Sequence, residues 1–341
     1  MTTLKNETQL YITVPGAPAI DGLRFRKFRG ESDYPLMLET INASKTADHD
    51  ERHDTLEDIR HNYSHLNNCD PYQDMLIAEI NGQFAAYTRV SWWEEANTGC
   101  RLYTSVGFVR PEWRRKGLGR AMLHYNENRL REIAAAHPPE VEKAFQVFTT
   151  HGQVGLRALL EQEGYRPIRY FHEMVRPDLE NIPDLPLPEG LEVRPVLPEH
   201  YRAIFDALQE AFQDHWSPSV QQEEDFKQWV EDPDFKPELF QVAWDGDQVA
   251  GMILNFIDEG ENEEYSRKRG YTEDICVRRP WRRRGLARAL LARSLKMHRD
   301  LGMTEAALNV DSDSLSGANK LYESMGFRIV RTNSVYRKDM A

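Results

Sequence analysis

Residues 278–291 read "RRPWRRRGLARALL": crowded arginines, a glycine, then a stretch with helical apolar spacing. The chain around them is acidic, with a formal net charge of -12, so positive charge at this one place calls for a local cause. The stretch also has a twin. "YTEDICVRRPWRRRGLARALL", starting at Tyr271, aligns with "YTSVGFVRPEWRRKGLGRAML", starting at Tyr103, and more than half of the positions are identical. The same offset relates "GLRFR" from Gly22 to "GLEVR" from Gly190. The repeat is a whole domain in length, far longer than a solenoid unit.

Two domains also suit the size of the chain. Its 341 residues exceed what one hydrophobic core usually serves, and a hydrophobic fraction of 40% is ordinary for a soluble protein. Between the copies lies "RPDLENIPDLPLPEG", residues 176–190, whose prolines forbid helix and suit an extended connector. The expected organisation is a first domain at 1–178, a linker at 179–189 and a second domain at 190–341. Each half opens on a strand, "LRFRKF" or "LEVRPV", followed by helical segments around Pro35 to Ala43 and His200 to Phe212. Hairpins follow, "LIAEINGQFAAYTRV" and "FQVAWDGDQVAGMILNF", turning at "NG" and "DGD". Next come a strand ending at Val109 or Val277, the basic turn and an amphipathic helix. In the second copy that helix carries Leu286, Leu290, Met297 and Leu301 on one face and stops at Gly302. A strand near Ala306 to Val310, a short helix in "SGANKLYESMG" and a last strand, "FRIVRTNSVYRK", complete the second half. Each half is expected to be an α/β (α+β) unit of domain size.

The opening "MTTLKNETQL" lacks a basic start and an apolar core, and no apolar run is long enough to cross a bilayer, so a cytoplasmic protein without membrane contact is expected. Cys69, Cys100 and Cys276 are odd in number, far apart, and without a CxxC pair or histidines at ligand spacing. That points to neither a disulfide framework nor a metal site. The excess of acidic over basic residues argues against a nucleic-acid binder.

A helix N-terminus exposes unpaired N–H groups and a partial positive charge, so a turn entering it can hold a phosphate. Glycine lets the backbone approach the anion, and flanking arginines add charge-assisted bonds. Arg282-x-x-Gly285-x-Ala287 and Arg114-x-x-Gly117-x-Gly119 both meet that need. Neither continues as the Gly-Lys-Ser/Thr of a Walker A loop and neither is GxGxxG, so nucleotide hydrolysis and dinucleotide hydride transfer lose their usual signatures. Set between a strand ending in Val and an amphipathic helix, the pattern resembles the pyrophosphate-binding motif Gln/Arg-x-x-Gly-x-Gly/Ala of the GNAT superfamily of acyl-CoA N-acyltransferases. "GANKLYESMGF", residues 317–327, resembles the superfamily's later Ala-x-x-Leu-Tyr-x-x-x-Gly-Phe segment. The resemblance covers nearly the whole chain and is that of a tandem GNAT protein.

It implies two GNAT-like domains, each a mixed, mostly antiparallel sheet flanked by helices, with acetyl-CoA as acyl donor and no metal. In the second domain, backbone groups of Ile275, Cys276 and Val277 would pair with the pantetheine arm. The turn of Arg282, Arg283, Arg284, Gly285, Leu286, Ala287 and Arg288 would hold the pyrophosphate. Tyr322 falls on the superfamily's tyrosine that protonates the coenzyme A sulfur; a core tyrosine packing beside Leu321 and Phe327 is the alternative. In the first domain, Val109 with Arg114, Arg115, Lys116, Gly117, Leu118, Gly119 and Arg120 matches the cofactor motif. There, however, Leu160 in "VGLRALLEQEGY" takes the tyrosine's place and cannot donate a proton, so this domain is expected to be catalytically degenerate. A further departure is Ser314, where relatives commonly carry Asn.

Acyl transfer to an amine needs the amine neutral, the oxyanion stabilised and a proton for the leaving thiolate. Many relatives carry a Glu six residues before the valine equivalent to Val277, and this chain has Tyr271 there. Glu273 is the first candidate base; strand alternation would place it on one face with Tyr271, Ile275 and Val277. Asp274, Glu264 or a water chain are the alternatives. In "EAFQDHWSPS", His215 and Trp216 follow Asp214 in a loop that lines the acceptor site in this fold, so both are acceptor-site candidates, with packing on the next helix as the alternative. The acidic run "DEGENEEYSRKRG", residues 258–270, would draw cationic acceptors or be a solvated loop. The expected activity is direct acetyl transfer from acetyl-CoA to a primary amine of a small molecule, in the second domain of a monomer or homodimer. A protein N-terminal or lysine acetyltransferase and a non-catalytic acyl-CoA-binding regulator are the alternatives.

Overall fold

The computed structural model describes residues 11–314 and 317–340. In chain order come strands β1 (Tyr11–Ile12) and β2 (Leu23–Arg26), helices α1 (Tyr34–Asp48) and α2 (Leu56–Ser64), and the hairpin β3 (Met75–Ile80) and β4 (Gln83–Glu94). Then follow β5 (Arg101–Val109), α3 (Leu118–Ala135), β6 (Lys143–Thr149), α4 (Val154–Gln162) and β7 (Arg166–Arg176). The second round is β8 (Glu192–Val193), α5 (Tyr201–Phe212), α6 (Glu223–Glu231), the hairpin β9 (Gln241–Asp245) and β10 (Gln248–Phe256), and α7 (Glu259–Glu264). It ends with β11 (Arg269–Val277), α8 (Leu286–Asp300), β12 (Glu305–Asp311), α9 (Ala318–Ser324) and β13 (Arg328–Asp339).

Within the described residues, one compact unit comprises 11–168 with 334–340 and the other 169–333. The sheet of the first unit runs β1, β2, β3, β4, β5, β6 and then residues 334–339 of β13; β5 and β6 are its parallel pair. The sheet of the second runs β8, β9, β10, β11, β12 and then residues 171–176 of β7, with β11 and β12 parallel. These units end at other residues than the expected limits at 178 and 190. The last strand of each half supplies its outer residues to the sheet of the other unit, because the ladder partners of Ser334 to Asp339 are on β6 and those of Phe171 to Arg176 are on β12. Nor is 179–189 a bare connector: Leu179, Ile182, Leu185 and Leu187 alternate with its prolines and pack on the core of the second unit.

Two apolar layers hold the second sheet in place. Beneath it, α8 buries Leu286, Leu290, Leu291 and Leu295 against Ala243, Ile253 and Leu308. Above it, α5 lays Ile204, Ala207, Leu208 and Ala211 on Val242, Met252, Leu254 and Cys276. Each fully buried leucine contributes about 2 kcal/mol. Leu301, expected on the buried face, follows the last turn of α8 and is half exposed. In the first hairpin Asn81 and Gly82 both take positive φ, the turn that matches strand twist. No helix among the described residues is long and apolar enough to cross a membrane.

Candidate functional site

The basic turn has the same backbone in both units. Arg283 and Gly285 take φ of 59° and 87° before α8; Arg115 and Gly117 take 62° and 87° before α3. Alternating hand along a short turn points successive N–H groups into one concavity, beside the positive end of the helix dipole. At +87° a Cβ is strained, which is why glycine enters both helices. In the first unit a cavity of about 370 Å³ opens here, with Gly107, Val109, Arg115, Gly117, Arg120 and Leu159 in its wall.

The guanidinium of the leading arginine in each motif is bonded within the protein. Arg282 donates to the Val277 carbonyl at 2.9 Å and to Asp214 at 2.6 Å. Arg114 donates to the Val109 carbonyl at 3.0 Å and to Asp48 at 2.5 and 2.9 Å. Each therefore pins the end of its strand to the C-terminal end of the preceding first helix. Arg279 shares Asp214, and these two guanidiniums hold that carboxyl well below the usual carboxylate range. Arg278 is taken by Glu210 and the Val249 carbonyl. Arg283 and Arg288 are exposed at the mouth of the turn.

Upstream of the turn, β11 is bulged. Met252 pairs with Cys276 and Leu254 with Glu273, so three steps on β11 face two on β10, and Asp274 absorbs the extra residue at φ 49°. The bulge shifts the side-chain phase by one. Glu273 consequently shares a face with Tyr271 and Cys276, and Ile275 and Val277 lie on the other; simple alternation fails here. On its second side β11 is paired with β12 only from Arg269 to Tyr271. Beyond that point the two parallel strands part, and the β12-facing backbone edge of Ile275 to Val277 has no ladder partner among the described residues.

Glu273 sits in this gap. Its Oε1 accepts from the Asn309 backbone N–H at 3.1 Å and from the Asn309 side-chain amide at 3.0 Å. Burial, reinforced by the neighbouring Asp274, pushes the Glu273 carboxyl up to about 8 against the opposing Asn309 bonds; burial alone takes Asp274 to about 6. Tyr322, on α9, is 5% exposed and packs edge-on to Phe327 at 6.2 Å. Burial first, then the charges of Glu273 and Cys276, push its hydroxyl above the ordinary tyrosine value. Its environment therefore includes both the candidate base and the candidate pantetheine strand. On α9, the Asn319 side-chain amide donates to the carbonyls of Asp311 and Ser312 at 3.1 and 3.0 Å.

The remaining candidates are dispersed. His215 stacks on Phe212 at 4.1 Å, and burial lowers its pKa; Trp216 lies 6.1 Å from Phe171 and 5.7 Å from the Arg169 guanidinium. The acidic run is neither loop nor uniformly solvated. Asp258 caps α7 by accepting from the Glu261 N–H at 2.7 Å, and Glu261 turns inward to Arg267 and to the hydroxyl of Tyr271. Tyr271 is thus occupied as a hydrogen-bond donor, and Glu264 is exposed on α7.

Residues 36–151 and 201–327 match the Acetyltransferase (GNAT) family. The chain belongs to the GNAT acetyltransferase family. Its relatives include the mycothiol acetyltransferase of Geodermatophilus obscurus, 30% identical over 264 residues, which are 75% of this chain and 79% of that one. The mycothiol acetyltransferase of Thermobifida fusca is 29% identical over 245 residues, 67% and 72% of the two chains. A solved GCN5-related N-acetyltransferase from Sphaerobacter thermophilus gives a TM-score of 0.70 at 27% identity, covering 96% of this chain and 97% of its own. A tandem GNAT protein from the clavulanic acid biosynthesis pathway shares the fold, with a TM-score of 0.67 at 13% identity over 94% and 99% of the two chains.

Two matched segments make this a tandem GNAT protein, and its two GNAT units differ where the chemistry would lie. The ladders begin in equivalent places, Arg101 beside Lys143 and Arg269 beside Glu305. Counting from them and from the aligned motifs, Ser105, Val106, Val147 and Leu160 stand where the second unit has Glu273, Asp274, Asn309 and Tyr322. The strand differs as well: β5 pairs with β4 from Arg101 to Val109 without a register shift. The first unit keeps the basic turn and lacks the bulge and all four polar side chains.

Proposed function

We propose that the second unit transfers an acetyl group from acetyl-CoA to a primary amine of a small molecule. The observation that carries this reading is Glu273 held at the gap between β11 and β12 with the buried hydroxyl of Tyr322 in its electrostatic reach, a pairing absent from the first unit. The residues fit the donor. The turn of Arg283 to Ala287 offers inward N–H groups at the start of a 15-residue helix, and the open edge of Ile275 to Val277 offers backbone groups to an extended amide arm. When bound there, acetyl-CoA supplies the reactive thioester.

The side chains then divide the proton work. Glu273, with a pKa near that of a working base, takes the proton from the attacking amine nitrogen. Tyr322 stays protonated across the physiological range and gives its proton to the departing sulfur. The first unit holds a coenzyme A thioester in its cavity without turning it over, having neither group. Relatives named for acetylating mycothiol favour a small acceptor over a protein one.

Thiol release from acetyl-CoA, followed across a panel of small primary amines and of peptides with free N-termini or lysines, tests the reading. Turnover with small amines is expected; turnover confined to peptides would redirect it to a protein acetyltransferase, and binding without turnover on any amine to a regulator. Calorimetric titration with acetyl-CoA is expected to give two sites. Gly285→Val places a β-branched residue at φ 87°, and about 1–2 kcal/mol of strain is expected to weaken one of those sites roughly 10-fold.

A further inference from the structure

We propose that Asn309 is the positioning residue of the transferase site: it aims the Glu273 carboxylate into the gap between β11 and β12 and keeps it available as a base. This rests on the role of Glu273 proposed above. Three observations carry it. Asn309 lies on β12 beyond Ala307, the last β12 residue laddered to β11, so its backbone N–H is released by the parting of the strands. That freed N–H and the side-chain amide converge on one oxygen, Oε1 of Glu273, at 3.1 and 3.0 Å. The other Glu273 oxygen is left for a substrate proton. Two donors on one oxygen fix both the rotation and the depth of the carboxylate, which a single contact does not.

The charged neighbours of Glu273 leave this work to Asn309. Asp274 on the same strand and Glu173 on β7 both oppose its ionisation. Glu173 is itself paired with Arg269 at 3.4 Å and Arg331 at 3.2 Å. The Tyr322 hydroxyl on α9 supplies no compensating charge. In the first unit the pair is missing as a pair, with Ser105 for the acid and Val147 for the amide. Asn309 is exposed, so its replacement does not disturb the core.

The first readout, a titration, needs no acceptor. In full-length protein carrying carbon-13 at the glutamate carboxyl, the Glu273 resonance is identified by its loss in Glu273→Gln and titrated. Asn309→Val, which copies the first unit and keeps the backbone donor, is expected to raise the Glu273 pKa by about one unit; Asn309→Gln, which retains an amide donor, returns it towards the starting value. In the thiol-release assay Asn309→Val then loses roughly 10-fold in kcat/KM at pH 7 and recovers at high pH. An unmoved Glu273 titration in Asn309→Val would overturn the positioning role whatever the base is. Unaltered turnover in Glu273→Gln would instead overturn the functional reading beneath it, so the two failures are separable.

Discussion

Tyr322→Phe is expected to lower kcat roughly 100-fold, the usual contribution of a positioned general acid, while acetyl-CoA binding stays within about twofold. The substitution removes one oxygen and leaves the ring, its edge contact with Phe327 and its place in the core of the second unit. Among the described residues no side chain hydrogen-bonds to the Tyr322 hydroxyl, so the fold is spared the cost of an orphaned polar group. Pre-steady-state kinetics distinguish the cause: the transfer step slows, and the affinity from calorimetric titration does not change. Turnover equal to wild type on a working acceptor would take Tyr322 out of the mechanism.

Glu273→Gln is expected to cost roughly 100-fold or more in kcat/KM near pH 8 and to flatten the pH profile. Burial raises this carboxyl to about 8, so below that pH the protonated, inactive form dominates. Wild-type kcat/KM should rise about tenfold per pH unit up to an inflection near 8 and level above it. Glutamine keeps an oxygen for both Asn309 donors, so the strand gap holds its shape and the loss reports the missing base. Turnover retained in Glu273→Gln with an inflection near 6 would transfer the role to Asp274, whose carboxyl burial pushes up to about 6.

The glycine-entered basic turn and the short helix that carries Tyr322 were legible in the sequence because both are local. A glycine entering a helix after basic residues fixes its own backbone, and the repeat at Arg114 to Gly119 doubled the signal. What escaped depends on pairing between distant segments. The bulge at Asp274 has no glycine to mark it; it is visible only when β11 is laid against β10, and it moved Glu273 to the face opposite Ile275 and Val277. Asn309 is anonymous in "EAALNV" until the parting of β11 and β12 brings its amides to Glu273. The arginine count also does not reveal that the guanidiniums of Arg282 and Arg114 satisfy a strand carbonyl and a helix-end carboxylate. The allocation of Ser334 to Asp339 to the first unit is likewise a matter of long-range ladder partners, invisible to a cut made at the prolines. In the acidic run, charge counting overlooked that Asp258 is a helix cap and Glu261 an interior partner of Tyr271.

The proposed division of labour between the units separates in one comparison. Gly285→Val and Gly117→Val each place a β-branched residue at φ 87° in one of the two basic turns, the second also against Pro18, and acetylated product is followed by mass spectrometry at subsaturating acetyl-CoA. Gly285→Val is expected to lose most product formation and Gly117→Val to retain it. Product lost in Gly117→Val and kept in Gly285→Val would contradict that division of labour.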